Sequence, residues 1–162
     1  MYKRQELKKG FAELGFTEVT TYLNSGNVIF SSTVQDIKIL TNKIQFMITD
    51  IFDMAVPVFI ILQDELKELL NHAPDWWGTD HKERYDNLIF LMPPLSYEAF
   101  YDEIGDPETG YENVYHYNSV IFWSFSRNDY QKTNWWSKTA SSGVSGRITI
   151  RTANTVRKIV EL

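Results

Sequence analysis

The stretch at residues 113–125, NVYHYNSVIFWSF, decides the fold class. Its two halves, 113–117 and 120–125, are rich in aromatic and β-branched residues, which are typical of strands. Asn118 and Ser119 separate the halves, and asparagine tolerates the positive φ that a tight turn requires. The stretch therefore predicts a β-hairpin of two antiparallel strands.

The segments on either side of the hairpin complete a regular order of elements. Periodicity and the Pro93-Pro94 pair predict a strand at 87–92, helices at 96–103 and 133–139, a strand at 147–151 and a final helix at 153–162. Together with the hairpin, these elements have the β-α-β-β-α-β order of ferredoxin-like domains. The predicted fold class is therefore α+β.

The first half of the chain repeats this order without its opening strand. The predicted elements are a helix at 6–14, strands at 18–23 and 28–31, a long helix, a strand at 56–62 and a helix at 64–71. Ser32 and Gln35 fit a capping box at the start of the long helix. Its buried face is predicted to carry Val34, Ile37, Leu40, Ile44, Met47, Ile48 and Ile51. We therefore expect two ferredoxin-like repeats, the first one incomplete.

The missing strand has a structural consequence, because the opening strand of a ferredoxin-like sheet is central. Residues 1–5 are too short and polar to take that place and still lead into a helix. Either the natural chain begins earlier, which we favour, or the first sheet has exposed edges that invite pairing with another molecule. The expected organisation is a first half at 1–70, a connector at 71–86 and a second half at 87–162.

Composition narrows the possible functions. The net charge of −5 and the pI of about 5.2 argue against broad electrostatic binding of duplex nucleic acid. The absence of cysteine excludes disulfides, thiol nucleophiles and thiolate metal sites. The three histidines have no metal-ligand spacing, and no cofactor motif is present. Without a predicted membrane span or signal peptide, we expect a cytoplasmic protein with no resident metal or cofactor.

Four blocks in order resemble one known family. They are YLNSGNVIF at 22–30, APDWWG at 73–78, VIFWS at 120–124 and TIRTANTVRK at 149–158. The chain is similar over 6–162 to the bacterial domain of unknown function numbered 1697, for which the resemblance implies two ferredoxin-like halves and no established reaction. Two departures are the absent opening strand with its arginine- and glycine-rich turn, and Thr152 where many members have asparagine.

The last of these blocks is the first candidate site. It predicts a strand that runs into a helix N-terminus, where backbone N–H groups favour anions. Arg151 would supply a cation, Asn154 and Thr155 would donate hydrogen bonds, and Lys158 would add charge one turn later. The alternative is structural: Thr152 or Asn154 caps the helix, and Arg151 pairs with a surface carboxylate.

Two further stretches have both a binding and a structural interpretation. Ser25, Gly26 and Asn27 could present backbone donors to an anion, but a hairpin turn uses the same residues for geometry alone. Trp135 and Trp136 lie among Lys132, Lys138 and Arg147 in a pattern that can stack bases, although a core or covering role for the tryptophans is favoured. Similarly, Trp76 and Trp77 are expected to pack over a joint between the halves.

The functional hypothesis is a small module that binds an anionic ligand, such as a nucleotide or a phosphorylated metabolite. One alternative is a protein-interaction or self-associating module that uses exposed strand edges. Another is an enzyme acting on a phosphorylated substrate, for which the sequence names no general base. Nucleic acid is the least favoured partner, given the acidic balance.

Overall fold

The computed structural model describes residues 2–23 and 26–162. Its elements are α1 (Tyr2–Glu13), β1 (Thr17–Tyr22), β2 (Asn27–Ser31), α2 (Ile37–Phe52), α3 (Gln63–Leu70), β3 (Arg84–Leu91), α4 (Tyr97–Ile104), β4 (Glu112–Tyr117), β5 (Val120–Ser126), α5 (Trp135–Ser141), β6 (Ile148–Thr152) and α6 (Ala153–Glu161). Short 3₁₀ turns lie at Arg127–Lys132 and Ser145–Arg147. The predicted α+β class is confirmed.

The chain forms two compact units. The first unit runs as far as Leu62 and includes Lys158–Leu162, and the second unit is Gln63–Arg157. In this division α3 belongs to the second unit. The three-part organisation into 1–70, 71–86 and 87–162 stays a prediction.

The second unit is built on a four-stranded sheet. Its strand order is β4-β5-β3-β6, and every neighbouring pair is antiparallel. The central strand β3 places Ile89 opposite Ile121 of β5 on one side and Ile150 of β6 on the other. The predicted hairpin is confirmed as β4 and β5, and Asn118 in its turn has a φ of 50°.

One face of this sheet carries the core of the second unit. Alternate residues of β5, namely Ile121, Trp123 and Phe125, are buried with Phe100 of α4 and Trp135 of α5. Alternation along a strand places residues two apart on the same face, so both helices cover that face.

Trp77 is also buried in the second unit. Its indole Nε1 donates to the backbone oxygen of Asn87 at 2.7 Å, and its ring meets Phe122 edge-on with centroids 5.0 Å apart. The predicted packing of this tryptophan is therefore confirmed, although the predicted joint between halves is not described. Trp76 is half-buried.

The first unit packs α1 and α2 with the two-stranded sheet of β1 and β2. Its core contains Leu7, Phe11, Phe16, Leu40, Ile44 and Met47. The long helix begins at Ile37 and not at Ser32, because Asp36 is the N-cap and accepts from the N–H groups of Lys38 and Ile39. Val34 therefore precedes the helix, and like Ile51 it is exposed, contrary to the predicted buried face.

The predicted strand at 56–62 does not form. In a β-α-β-β-α-β sheet the last strand pairs only with the opening strand, and in the described part of the chain α1 is not preceded by one. A strand needs a ladder partner for its backbone groups. Val58 and Ile60 nevertheless pack against the core of the first unit, which accounts for the apolar pattern that predicted a strand.

Candidate functional site

The junction of β6 and α6 is the site predicted from the sequence. Arg151 lies on β6 and is half-buried, with Nη1 donating to Oγ1 of Thr149 and to the backbone oxygen of Ile150, both at 2.9 Å. Burial lowers the pKa of the Arg151 guanidinium, because a low-dielectric surrounding disfavours the charged form. The two hydrogen bonds hold the Arg151 side chain close to its own strand.

Thr152 caps α6. Its Oγ1 accepts from the backbone N–H of Thr155 at 3.3 Å, and the two threonine hydroxyls are 3.1 Å apart. Thr155 is buried, whereas Asn154 is exposed on the first turn. Thr152 is therefore the helix cap that the sequence offered as an alternative to ligand binding. The Thr155 hydroxyl is hydrogen-bonded within the junction. Lys158 is exposed one turn further along α6, where the chain is counted with the first unit.

The second predicted anion site falls partly outside the described residues, since Ser25 is not among them. Gly26 donates its N–H to the oxygen of Leu23 at 2.9 Å, and Nδ2 of Asn27 donates to the oxygen of Tyr22 at 3.2 Å. These bonds close the turn between β1 and β2. The described residues of this turn therefore have a clear structural role.

The tryptophan pair of α5 has the covering role that the sequence favoured. Trp135 is fully buried, and its Nε1 donates to the oxygen of Gly105 at 3.0 Å. Trp136 is 43% exposed and packs edge-on against Phe125 and Tyr130. The nearby cations have protein partners: Lys132 with Asp129, Lys138 with the oxygen of Ile104, and Arg147 with Glu103.

A different surface stands out in the first unit. Phe46 projects from α2 with 79% of its surface exposed. Beside it is an open groove of about 570 Å³ between α1 and α2, which we call the α1–α2 groove. Its lining includes Gly10 of α1 and Leu14 directly after that helix, together with Lys43, Phe46, Met47 and Asp50 of α2.

The periodicity of α2 explains this exposure. Leu40, Ile44 and Met47 face the core, and a flank of the helix about a quarter turn away carries the set Ile39, Lys43, Phe46 and Asp50, which we call the α2 outer face. Sequence analysis did not single out this set. The available signal was that Phe46 is a large apolar residue outside the predicted buried face.

Gly10 forms the floor of the groove where the two helices approach closely. A Cβ built at this position would lie 2.6 Å from Sδ of Met47 and 2.9 Å from Cδ1 of Ile51. The missing side chain leaves room for α2 to approach α1 and leaves the groove open above the glycine. A short apolar recess flanked by charges results.

The described residues also bear on membrane spans and metal sites. No helix among them is long and apolar enough to cross a membrane. Within the same residues, no group of three His, Asp or Glu side chains is arranged to hold a metal ion.

Comparison with known families agrees with the resemblance noted in the sequence. The family model described as a protein of unknown function, DUF1697, matches residues 1–122. The chain belongs to the DUF1697 family. This match covers the first three resembling blocks in full or in large part, while the block at 149–158 lies beyond it.

A solved structure resembles this DUF1697 chain over almost its whole length. It is the conserved bacterial protein SP0830 from Streptococcus pneumoniae, with a TM-score of 0.83 and 24% sequence identity, covering 98% of this chain and 87% of that chain. At this identity the likeness shows a shared fold alone. The search of curated proteins found no match.

Proposed function

We propose that this chain is a self-associating module whose first unit binds a second copy of the chain through the α1–α2 groove and the α2 outer face. The observation that carries the proposal is Phe46, which is 79% exposed beside an apolar recess. A large apolar side chain next to a groove is typical of protein-interaction sites. This develops the self-association alternative, with a helical face in place of strand edges.

Energetics favour covering this surface. Burying a phenylalanine side chain contributes about 1.5–3 kcal/mol, and a two-fold symmetric contact buries two of them. Ile39 and Ile51 extend the apolar surface on the same helix, with 46% and 38% exposed. In the second unit, the large apolar residues exposed among those described are Tyr111, Tyr115 and Trp136, each of which has a polar group that suits solvent.

The charges on the groove favour a second copy as its occupant. The lining carries one cation, Lys43, and two anions, Asp50 and Glu13, so the same surface offers both signs. A symmetric contact repeats one surface on both partners, so such a surface can satisfy its own charges. A strongly basic or acidic partner would meet one repulsive group.

Sedimentation velocity and light scattering across a wide concentration range test the proposal. The parent chain is expected to shift from monomer to dimer, whereas Phe46→Ser stays monomeric. Leu23→Ser is the matched control, because Leu23 is 51% exposed in the same unit and does not line the groove. A parent that stays monomeric throughout, or a Phe46→Ser variant that associates like the parent, would sink the proposal.

Binding of an anionic ligand at the β6–α6 junction is the second candidate function. The observation in its favour is the desolvated guanidinium of Arg151 near the N-terminus of α6, where Asn154 is exposed. An anion would add a favourable charge interaction with the half-buried Arg151 and would complement the helix dipole. Nucleotides and phosphorylated metabolites are the ligand classes to screen.

A thermal-shift screen with nucleotides, sugar phosphates and carboxylates tests this candidate. A ligand at about 100 times its dissociation constant stabilises the folded state by about 2.7 kcal/mol, which raises the melting temperature by several degrees. Asn154→Ala is expected to weaken the shift without unfolding the chain, because Asn154 is exposed. An unchanged shift in that variant places the ligand elsewhere, and no shift with any compound rejects the site.

We also propose that the second unit is a ferredoxin-like repeat and the first unit an incomplete copy of it. The antiparallel β4-β5-β3-β6 order, with α4 and α5 after the first and third strands, supports the former. The helix-hairpin-helix order of α1, β1, β2 and α2 supports the latter. A crystal structure in which α1, β1, β2 and α2 do not superpose on α4, β4, β5 and α5 would reject the duplication.

A further inference from the structure

The arrangement of charges on α2 specifies how two copies would pack. We infer that the α2 helices pair antiparallel about a two-fold axis between Phe46 and Met47, so that Lys43 of each copy lies opposite Asp50 of the other. This inference rests on the proposed self-association. It adds the orientation and register of the contact.

Helix geometry brings the relevant side chains to one stripe. Lys43, Phe46 and Asp50 are spaced by three and four residues, and all three are exposed. Such spacing aligns side chains on one face of an α-helix. With a rise of about 1.5 Å per residue, the lysine and the aspartate are about 10 Å apart along the axis. The apolar ring lies between the two charges.

An antiparallel pair about the proposed axis is self-complementary. The midpoint of positions 43 and 50 falls between 46 and 47, so the two-fold operation places each lysine at the height of an aspartate of the second copy. Two opposite-charge pairs then flank the apolar centre. A parallel pair in register would instead place Lys43 beside Lys43 and Asp50 beside Asp50, which is repulsive.

The same axis places the apolar groups together. The two-fold operation keeps both Phe46 rings on the same side of the contact, so they lie beside each other, whereas Met47 is buried at the groove floor against Gly10. The two rings form the apolar centre, and the charge pairs fix the register, because a shift of one turn separates them.

Charge reversal provides the test. Lys43→Asp places an aspartate opposite each Asp50, and Asp50→Lys places a lysine opposite each Lys43, so each single variant is expected to weaken dimerisation by roughly tenfold or more. The double variant Lys43→Asp/Asp50→Lys restores both pairs with exchanged signs. Its dimer dissociation constant is expected within about threefold of the parent value. Lys82→Asp, an exposed reversal in the second unit, is the control.

Mixing the two single variants gives a second test of the same register. An equimolar mixture of the two single variants brings together one copy with acidic groups at positions 43 and 50 and one with basic groups there, so a heterodimer is expected to form more strongly than either homodimer. Because the chain has no cysteine, Lys43→Cys mixed with Asp50→Cys and treated with a mild thiol oxidant is also expected to form a disulfide-linked pair, in preference to either variant alone.

The outcomes separate the register from the proposed function. If Phe46→Ser abolishes dimerisation but the double reversal and the mixture fail to restore it, the register is overturned while self-association stands. If the parent chain never dimerises, both proposals are overturned. Restoration by the double variant and by mixing supports this register, since both depend on Lys43 lying opposite Asp50.

Discussion

Nε1 of Trp123 donates to Oε1 of Glu112 at 2.9 Å, and both side chains are buried. The second carboxylate oxygen accepts from the backbone N–H of Glu108 at 2.8 Å, of Asn134 at 2.6 Å and of Trp135 at 3.3 Å. One carboxylate therefore connects β5, the loop before β4 and the start of α5. Its negative charge also lies at the N-terminus of that helix, where the dipole favours it.

Glu112→Gln is expected to destabilise the protein. The amide nitrogen of glutamine would face N–H donors that now meet a carboxylate oxygen, and hydrogen bonds to a charged group contribute about 1.5–3 kcal/mol each. We expect the free energy of unfolding to fall by about 2–3 kcal/mol, measured by urea denaturation. Glu108→Gln, at an exposed side chain, is the control. Equal stability of the two variants would show that the buried carboxylate is not an anchor.

The strands of the second unit follow from local sequence because β5 contains a run of apolar and aromatic residues that is buried on both faces, as in Ile121, Phe122 and Trp123. The role of Glu112 does not follow from it. Its partners Trp123, Asn134 and Trp135 are 11, 22 and 23 residues away, and only the folded chain brings them together. In the sequence, Glu112 is one acidic residue before a strand, a pattern that is typical of a solvated position.

Gly78→Ala is expected to be more destabilising than a glycine substitution at an open turn. Gly78 has a φ of 72°, and an added Cβ would lie 2.2 Å from Nη2 of Arg157. That guanidinium is the end of an exposed side chain that lies over the ring of Trp77, so it can move aside, and the substitution combines backbone strain with loss of this cation–π contact. We expect a loss of about 1.5–3 kcal/mol in the free energy of unfolding.

Gly110→Ala separates the two effects. Gly110 has a similar φ of 97°, but a Cβ there meets no atom within 4 Å. Strain alone is expected to cost about 1–2 kcal/mol at this position. If the two variants lose the same stability in parallel urea titrations, the contact between Gly78 and Arg157 does not contribute to the free energy of unfolding.

Thr152→Ala tests the structural role of the junction. Removing the hydroxyl leaves the N–H of Thr155 without this cap, which typically costs about 1 kcal/mol. Thr152→Ser keeps the acceptor oxygen and is expected to retain most of the stability. Both variants are compared by thermal unfolding in ligand-free buffer. A Thr152→Ala variant as stable as the parent would mean that the capping contact is not needed for α6.

The first unit shows where periodicity alone is insufficient. The three- and four-residue spacing correctly placed Leu40, Ile44 and Met47 in the core, but it also included Val34, which precedes the N-cap at Asp36. Asp36 caps the helix in place of Ser32 because its carboxylate accepts from two backbone N–H groups. Ser32 instead accepts from Val34 in a local turn. Which polar residue caps a helix depends on backbone geometry that the neighbouring residue types do not determine.

Tyr101 is expected to ionise at unusually high pH. Its hydroxyl donates to the carboxylate of Asp106, and this hydrogen bond, followed by desolvation and the charge of Asp106, raises the pKa of Tyr101 from 10.0 to about 12. The folded state therefore holds the phenol proton more tightly than the unfolded chain does. This contribution to stability is complete below pH 10 and is lost as the pH rises toward 12.

Asp106→Asn is expected to return the pKa of Tyr101 toward its ordinary value of 10.0, because the anionic acceptor is removed. Tyrosinate absorbance recorded against pH, with Tyr101→Phe to identify the transition among the nine tyrosines, measures the change. Asp102→Asn is the control, since Asp102 is adjacent in sequence and exposed but is not among the groups that raise this pKa. A late transition that persists in Asp106→Asn, or that disappears equally in Asp102→Asn, would contradict the assignment to the Tyr101–Asp106 hydrogen bond.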